Sequence, residues 1–197
     1  IEVLKIKTKD DGALSIVFCL WSIMRREYNS PAMPILDSHT IEFFSRSPEQ
    51  TRRIGMRVGG SLKAGDVICL QGDLGAGKTT FVQGLAQGWG SLDSVSSPTF
   101  ILVNLYRRAN GDQLFHLDAY RIESMPEGEE LDLDSMLMDG ALVIEWPERL
   151  GDLIPKERLW INLDHMAEEH RQMRFNANGK RDDDLLDDIR QSMFGGA

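Results

Sequence analysis

The sequence predicts a three-layer α/β fold of the P-loop NTPase kind, with a mixed, partly antiparallel sheet, and three observations carry that prediction. Residues 72–79 read Gly-Asp-Leu-Gly-Ala-Gly-Lys-Thr, which fits the phosphate-binding pattern G-x-x-x-x-G-K-[ST] at every fixed position. The apolar run Val67-Ile68-Cys69-Leu70 stands directly before it and a stretch of helical spacing directly after, the strand–loop–helix context that such a loop requires. Other short apolar runs lie on both sides, and two of them are joined by a tight turn, so the sheet is expected to be partly antiparallel.

Taken in order, residues 40–44 (Thr-Ile-Glu-Phe-Phe) read as a strand. A helix follows: Ser47 is its N-cap, Pro48 its first residue, and Gln50 completes a capping box. Ile54, Val58 and Leu62 continue at helical spacing, and Lys63-Ala64-Gly65-Asp66 turns the chain into the strand before the loop. After the loop, residues 80–88 are predicted helical, with Phe81, Val82 and Leu85 toward the sheet. Residues 99–106 and 113–117 form a hairpin closed by the turn Ala109-Asn110-Gly111-Asp112. The acidic stretch 123–134, with Pro126 and Gly128 inside it, reads as a solvated loop with a helical turn beginning near Leu131. Residues 141–144 make a wholly apolar strand ending at Glu145, and 159–163 and 171–177 complete the sheet. The charged end carries Leu185, Ile189 and Met193 at a spacing suited to a short amphipathic helix.

These boundaries divide the chain into an N-terminal extension (1–33), a P-loop domain (34–180) and an acidic tail (181–197). Residues 12–24 are apolar, but fall short of the roughly twenty residues of a membrane span. The extension is expected to lie outside the functional domain, with the chain proper starting at Met33 and the domain at residue 34, and no membrane partner is expected. A composition of 42% apolar and 27% charged residues excludes disorder throughout. A net charge of −9 argues against a long basic face for gripping RNA, so any RNA would be held by another subunit. Cys19 and Cys69 sit in apolar runs without metal-ligand spacing, as expected of buried thiols in a reducing, cytoplasmic setting.

The chemistry of the loop follows from its residue types. Gly72, Gly75 and Gly77 let successive N–H groups turn around an anion, while Asp73, Leu74 and Ala76 fill the variable positions of the nest. A helix dipole adds to it from Lys78 onward, through Thr79 and Thr80; the Lys78 ammonium can bridge outer phosphates and the Thr79 hydroxyl can ligate magnesium. In open α/β sheets ligands bind beyond the carboxyl ends of strands, where Asp118 and Glu145 also stand. Each is either a metal- or water-orienting carboxylate or an ordinary strand-end acid facing solvent. His116 reads as a core histidine more readily than as a base. Arg121 either reaches a γ-phosphate or pairs with the acidic stretch beyond it. Trp146 either stacks on a base or partner or packs in the core.

Four segments in this order, Gly72-Asp73-Leu74-Gly75-Ala76-Gly77-Lys78-Thr79-Thr80-Phe81, Ser97-Pro98-Thr99-Phe100, His116-Leu117-Asp118-Ala119-Tyr120-Arg121 and Glu145-Trp146-Pro147-Glu148, resemble the TsaE family, also called YjeE. The resemblance runs over about residues 35–180. It implies an ATPase, weak alone, that works with TsaB and TsaD. In that system TsaD transfers a threonylcarbamoyl group to the adenosine beside the tRNA anticodon, and ATP turnover supports multiple rounds. Carried over by motif, residues 72–80 bind ATP, Thr79 and Glu145 hold Mg2+, and Lys78, Asp118 and Glu145 serve hydrolysis. Thr99 lies near the γ-phosphate, and the 47–51 segment approaches the base. Ala119 stands where the family often has a larger apolar residue. Two rival readings stay open: a small-molecule or nucleotide kinase, and a nucleotide-dependent binding module without essential hydrolysis.

Overall fold

Alternating apolar residues in β3 (Val67–Gln71) dictate the layering, because successive side chains of a strand leave on opposite faces of the sheet. The structure, a computed structural model, describes residues 35–95 and 102–194. These form one eight-stranded sheet with β1 (Ile35–Asp37), β2 (Thr40–Ser45), β4 (Val103–Arg107), β5 (Gln113–Asp118), β6 (Gly140–Glu145), β7 (Arg158–Ala167) and β8 (His170–Asn178) around β3, in the order β1-β2-β8-β7-β3-β6-β5-β4. The central β7, β3, β6 and β5 run parallel, and the outer pairs β1–β2, β2–β8, β7–β8 and β4–β5 are antiparallel. The mixed sheet expected from the sequence is present.

Val67 and Cys69 pack on one face with Leu142, Ile144, Ile122, Leu133, Leu150 and Ile154. The opposite face is covered by α1 (Pro48–Ser61) and α2 (Lys78–Trp89), whose Ile54, Val58, Phe81, Val82 and Leu85 are buried. Phe81 meets Phe175 of β8 edge to face, and Phe175 meets Phe43 of β2. Burial of Cys69 pushes its thiol up to about 12, so it is inert. Cys19 lies outside the described residues.

Two glycine pairs, Gly55 and Gly59 on α1 and Gly84 and Gly88 on α2, decide how closely the helices approach. A Cβ at Gly59 would come to 1.9 Å from the Leu85 carbonyl oxygen, and one at Gly88 to 1.9 Å from that of Met56. At the start of α1, the Ser47 hydroxyl accepts from the Gln50 amide as predicted. The Gln50 side chain reaches the Arg46 amide, one residue before the cap.

The 123–134 stretch differs from expectation. It forms α3 (Met125–Glu129), with Pro126 in the first turn where no intrahelical donor is lost, and then enters α4 (Leu133–Asp139), capped by Asp132. Gly128 is buried, and a Cβ there would stand 2.7 Å from the Leu153 side chain. Strand β4 begins at Val103; of the expected 99–106 strand, residues 99–101 lie outside the described residues, as does the extension 1–33. The acidic segment read as a tail is helical over α5 (Lys180–Phe194), and Leu185, Leu186 and Ile189 are fully buried. Arg181 ties it to Asp66, just before β3, through Nη2 to Oδ2 at 2.6 Å. No helix among the described residues is long and apolar enough to cross a membrane.

Candidate functional site

The carboxyl ends of β3, β6 and β5 lie side by side, and residues 72–80, Asp118 and Glu145 stand at that rim. From β3 the chain passes through Gly72, Asp73, Leu74, Gly75, Ala76 and Gly77 and enters α2 at Lys78, so that Lys78, Thr79 and Thr80 make the first helical turn. Gly75 (φ +80) and Gly77 (φ +102) occupy the left-handed region, which side chains disfavour. The Ala76 amide donates to the Asp73 carbonyl at 3.0 Å, which closes the bend. Thr99 lies outside the described residues.

Lys78 is buried, and its Nζ donates to the carbonyls of Gly72 (2.6 Å) and Asp73 (3.0 Å). The same ammonium sits 3.8 Å from the centre of the Trp146 ring. Burial draws its pKa down, opposed by the charges of Glu145 and Asp118. Trp146 is thus neither a free stacking platform nor an ordinary core indole. Its backbone is left-handed (φ 58), a strained state for a bulky residue, and its amide donates to the Leu70 carbonyl. That kink turns the ring under Lys78 and against Tyr120, 5.0 Å away.

Glu145 ends β6 almost wholly buried, and a carboxylate in that position must be compensated. Its Oε1 accepts from the Thr79 hydroxyl at 3.1 Å and from His116 Nε2 at 2.9 Å. A carboxylate only accepts, so Nε2 carries a proton; in the neutral ring Nδ1 then accepts from the Tyr106 hydroxyl at 3.2 Å. His116 is a core histidine, fully buried, and it is also the support of the site's acid. Tyr106 had no motif to mark it.

Asp118 is the register partner of Glu145 on the adjacent parallel strand. It caps the following turn by accepting from the Tyr120 amide at 3.0 Å. Burial raises its pKa, and the nearby Glu145 charge adds to that rise while His116 and Lys78 oppose it. Arg121 is exposed in this turn. Arg107 and Arg108 stand at the other end of the sheet, where Arg107 faces Gln113 and pairs with Asp93, and Arg108 pairs with Asp112. The kinase reading needs arginines around an acceptor, and these two are committed elsewhere.

Among the described residues no three His, Cys, Asp or Glu side chains are grouped to hold a metal. Magnesium does not require such a cage, since one or two protein oxygens with phosphate and water suffice. The paired hard oxygens of the Thr79 hydroxyl and the buried Glu145 carboxylate fit that requirement. Sequence reasoning missed Arg171, which enters the site from the β7–β8 hairpin and donates through Nε to the Ala76 carbonyl at 2.9 Å. It belongs to no motif, and only the strand pairing brings it here.

Residues 45–173 match the family described as "Threonylcarbamoyl adenosine biosynthesis protein TsaE". The chain is 38% identical over 144 residues to the tRNA threonylcarbamoyladenosine biosynthesis protein TsaE of Bacillus subtilis, covering 73% of this chain and 89% of that one. It is likewise 38% identical over 136 residues to the protein of that name from Streptomyces coelicolor, covering 66% and 92%. Among solved structures it is similar to Bacillus subtilis YdiB, with a TM-score of 0.66 at 30% identity, over 83% of this chain and 99% of that one.

Proposed function

The chain belongs to the TsaE family, and from that premise we propose that it is an ATPase supporting repeated threonylcarbamoylation of tRNA adenosine by a partner transferase. The observation that carries this reading is the Thr79–Glu145 contact at the head of the phosphate loop, with Asp118 on the next strand. Residues 72–80 would enclose the triphosphate, and Lys78 would exchange the Gly72 and Asp73 carbonyls for outer phosphate oxygens. Thr79 and Glu145 would hold Mg2+, which when bound neutralises charge between the outer phosphates.

Asp118 suits the hydrolytic step because its raised pKa makes it a better proton acceptor than an exposed aspartate. A water it orients attacks the γ-phosphorus, the bond from that phosphorus to the bridging oxygen breaks, and Asp118 takes the proton of the water. Lys78 stabilises the negative charge left on the diphosphate. Thr99, by its motif, would sense the γ-phosphate. The acidic surface charge favours action on a tRNA-holding partner, the TsaB and TsaD proteins, so that tRNA is engaged indirectly.

The test is phosphate release with and without purified TsaB and TsaD, followed by multiple-turnover tRNA modification. The natural chain should hydrolyse ATP slowly alone and support modification with the partners. Lys78→Ala should lose both while keeping its circular-dichroism spectrum. A folded Lys78→Ala protein that sustains multiple turnover would refute the proposal. A Glu145→Ala protein that binds ATP without turnover yet sustains modification would favour the binding-module reading instead.

A further inference from the structure

We propose that Arg171 is a positioning residue for nucleotide binding, gripping the phosphate loop from behind and tying its shape to the β7–β8 hairpin. The guanidinium presents its donors in a rigid planar fork, and here they divide between two segments. Nε reaches the Ala76 carbonyl at 2.9 Å and Nη2 the Gly75 carbonyl at 3.3 Å. Nη1 faces the carbonyls of His170 (3.0 Å), Ala167 (3.3 Å) and Glu168 (3.3 Å) at the hairpin tip. One side chain thus joins two segments 95 and 96 residues apart in sequence.

What this grip does follows from peptide planarity. Each carbonyl is rigidly coplanar with the N–H of the next residue, so holding a carbonyl fixes the direction of that N–H. Through the Gly75 carbonyl Arg171 sets the Ala76 amide, which closes the bend onto Asp73; through the Ala76 carbonyl it sets the Gly77 amide. Gly75 and Gly77 flank these planes, and glycine backbone offers little resistance to their rotation. An external clamp is therefore what selects one orientation. The guanidinium also polarises both peptides, drawing electron density toward the carbonyls and leaving the N–H groups better donors to an anion.

A second contact backs the first. Gly72 lies so close to β7 that a Cβ there would stand 2.4 Å from the Leu163 carbonyl oxygen. The hairpin consequently braces the loop at its first glycine and again at residues 75 and 76, while residues 164–170 of its own tip are all exposed. A surface arginine serving only the hairpin would have no reason to spend two of its donors on the loop.

The inference rests on the nucleotide-binding reading of the loop, and its test separates the two. Amide exchange at Ala76 and Gly77, read by NMR in the nucleotide-free protein, is compared among the natural chain, Arg171→Ala and Arg171→Lys, and ATP affinity is measured by calorimetry on the same samples. Arg171→Ala should speed exchange at these amides and weaken ATP binding by about tenfold, the scale of a lost charge-assisted contact. Arg171→Lys, which keeps the charge and cannot span both carbonyls, should fall between. If Arg171→Ala does not fold, the lysine variant decides alone. Unchanged exchange and affinity in a folded variant, even with lowered thermal stability, would reduce Arg171 to hairpin packing and overturn the proposal. A natural chain that bound no ATP would overturn the proposed function, and the exchange measurement would still decide whether Arg171 holds the loop.

Discussion

Glu145 depends on neighbours drawn from three elements: Thr79 from α2, His116 from β5 and, through His116, Tyr106 from β4. Supports of this kind orient a metal-binding carboxylate, and their loss typically costs about 10- to 100-fold in metal affinity or activity. His116→Leu should therefore raise the magnesium concentration for half-maximal ATP hydrolysis by about tenfold, with nucleotide binding in the absence of magnesium little changed. His116→Gln, which returns one amide donor, should recover part of the loss, and Tyr106→Phe should cost less than His116→Leu. A uniform fall in rate with no change in magnesium dependence would mean that His116 serves packing alone. At this scale the sequence marked Lys78, Thr79, Asp118 and Glu145 because their chemistry sits in motifs. It left the Lys78–Trp146 and Tyr106–His116 contacts unmarked, because the first depends on the left-handed turn at Trp146 and the second on strand register.

Among elements, the α1–α2 seam separates two glycines that look alike in sequence. Gly59 has no room for a methyl group beside the Leu85 carbonyl, whereas a Cβ at neighbouring Gly60 would find its nearest contact at 3.9 Å, an ordinary distance. Gly59→Ala should destabilise the protein by about 1–3 kcal/mol through overpacking. Gly60→Ala should stabilise it by roughly 0.5–1 kcal/mol through helix propensity. Denaturant melts of the pair check both signs, and similar losses in both variants would contradict the seam. Caps, turns and periodicity made the element order legible except for β1 and α3, neither of which was expected. The seam was not legible, since a Gly-x-x-x-Gly spacing gains meaning only when a second helix lies across it.

At the scale of the molecule, α5 closes the fold under Asp66 and brings Asp182 into a buried position where its Oδ2 has no hydrogen-bond partner. Burial, with the charge of Asp66 adding to it, raises the Asp182 pKa from 3.8 to about 6. Between those values the folded state binds the extra proton, so this group's contribution to stability is fully present below 3.8 and is lost as pH rises to about 6. Asp182→Asn should raise the melting temperature at pH 7.5, by a margin that shrinks as pH falls through that window and vanishes near its lower end. A margin independent of pH would exclude titration of Asp182 as the cause. The acidic composition that made residues 181–197 read as a tail is accommodated because only one face of α5 is buried, with Arg181 neutralising part of the charge at its base.

The sequence by itself determined the mixed α/β class and marked the loop, its lysine and threonine, and the two carboxylates as candidates, because those depend on local spacing and on which side chains can do a given chemistry. Only the tertiary structure decided that Asp118 and Glu145 are register neighbours, that His116 supports one of them, that α5 belongs to the core, and that Arg171 backs the loop. Each of those rests on contacts between residues distant along the chain. Strand order and register create such contacts, and no local pattern encodes them.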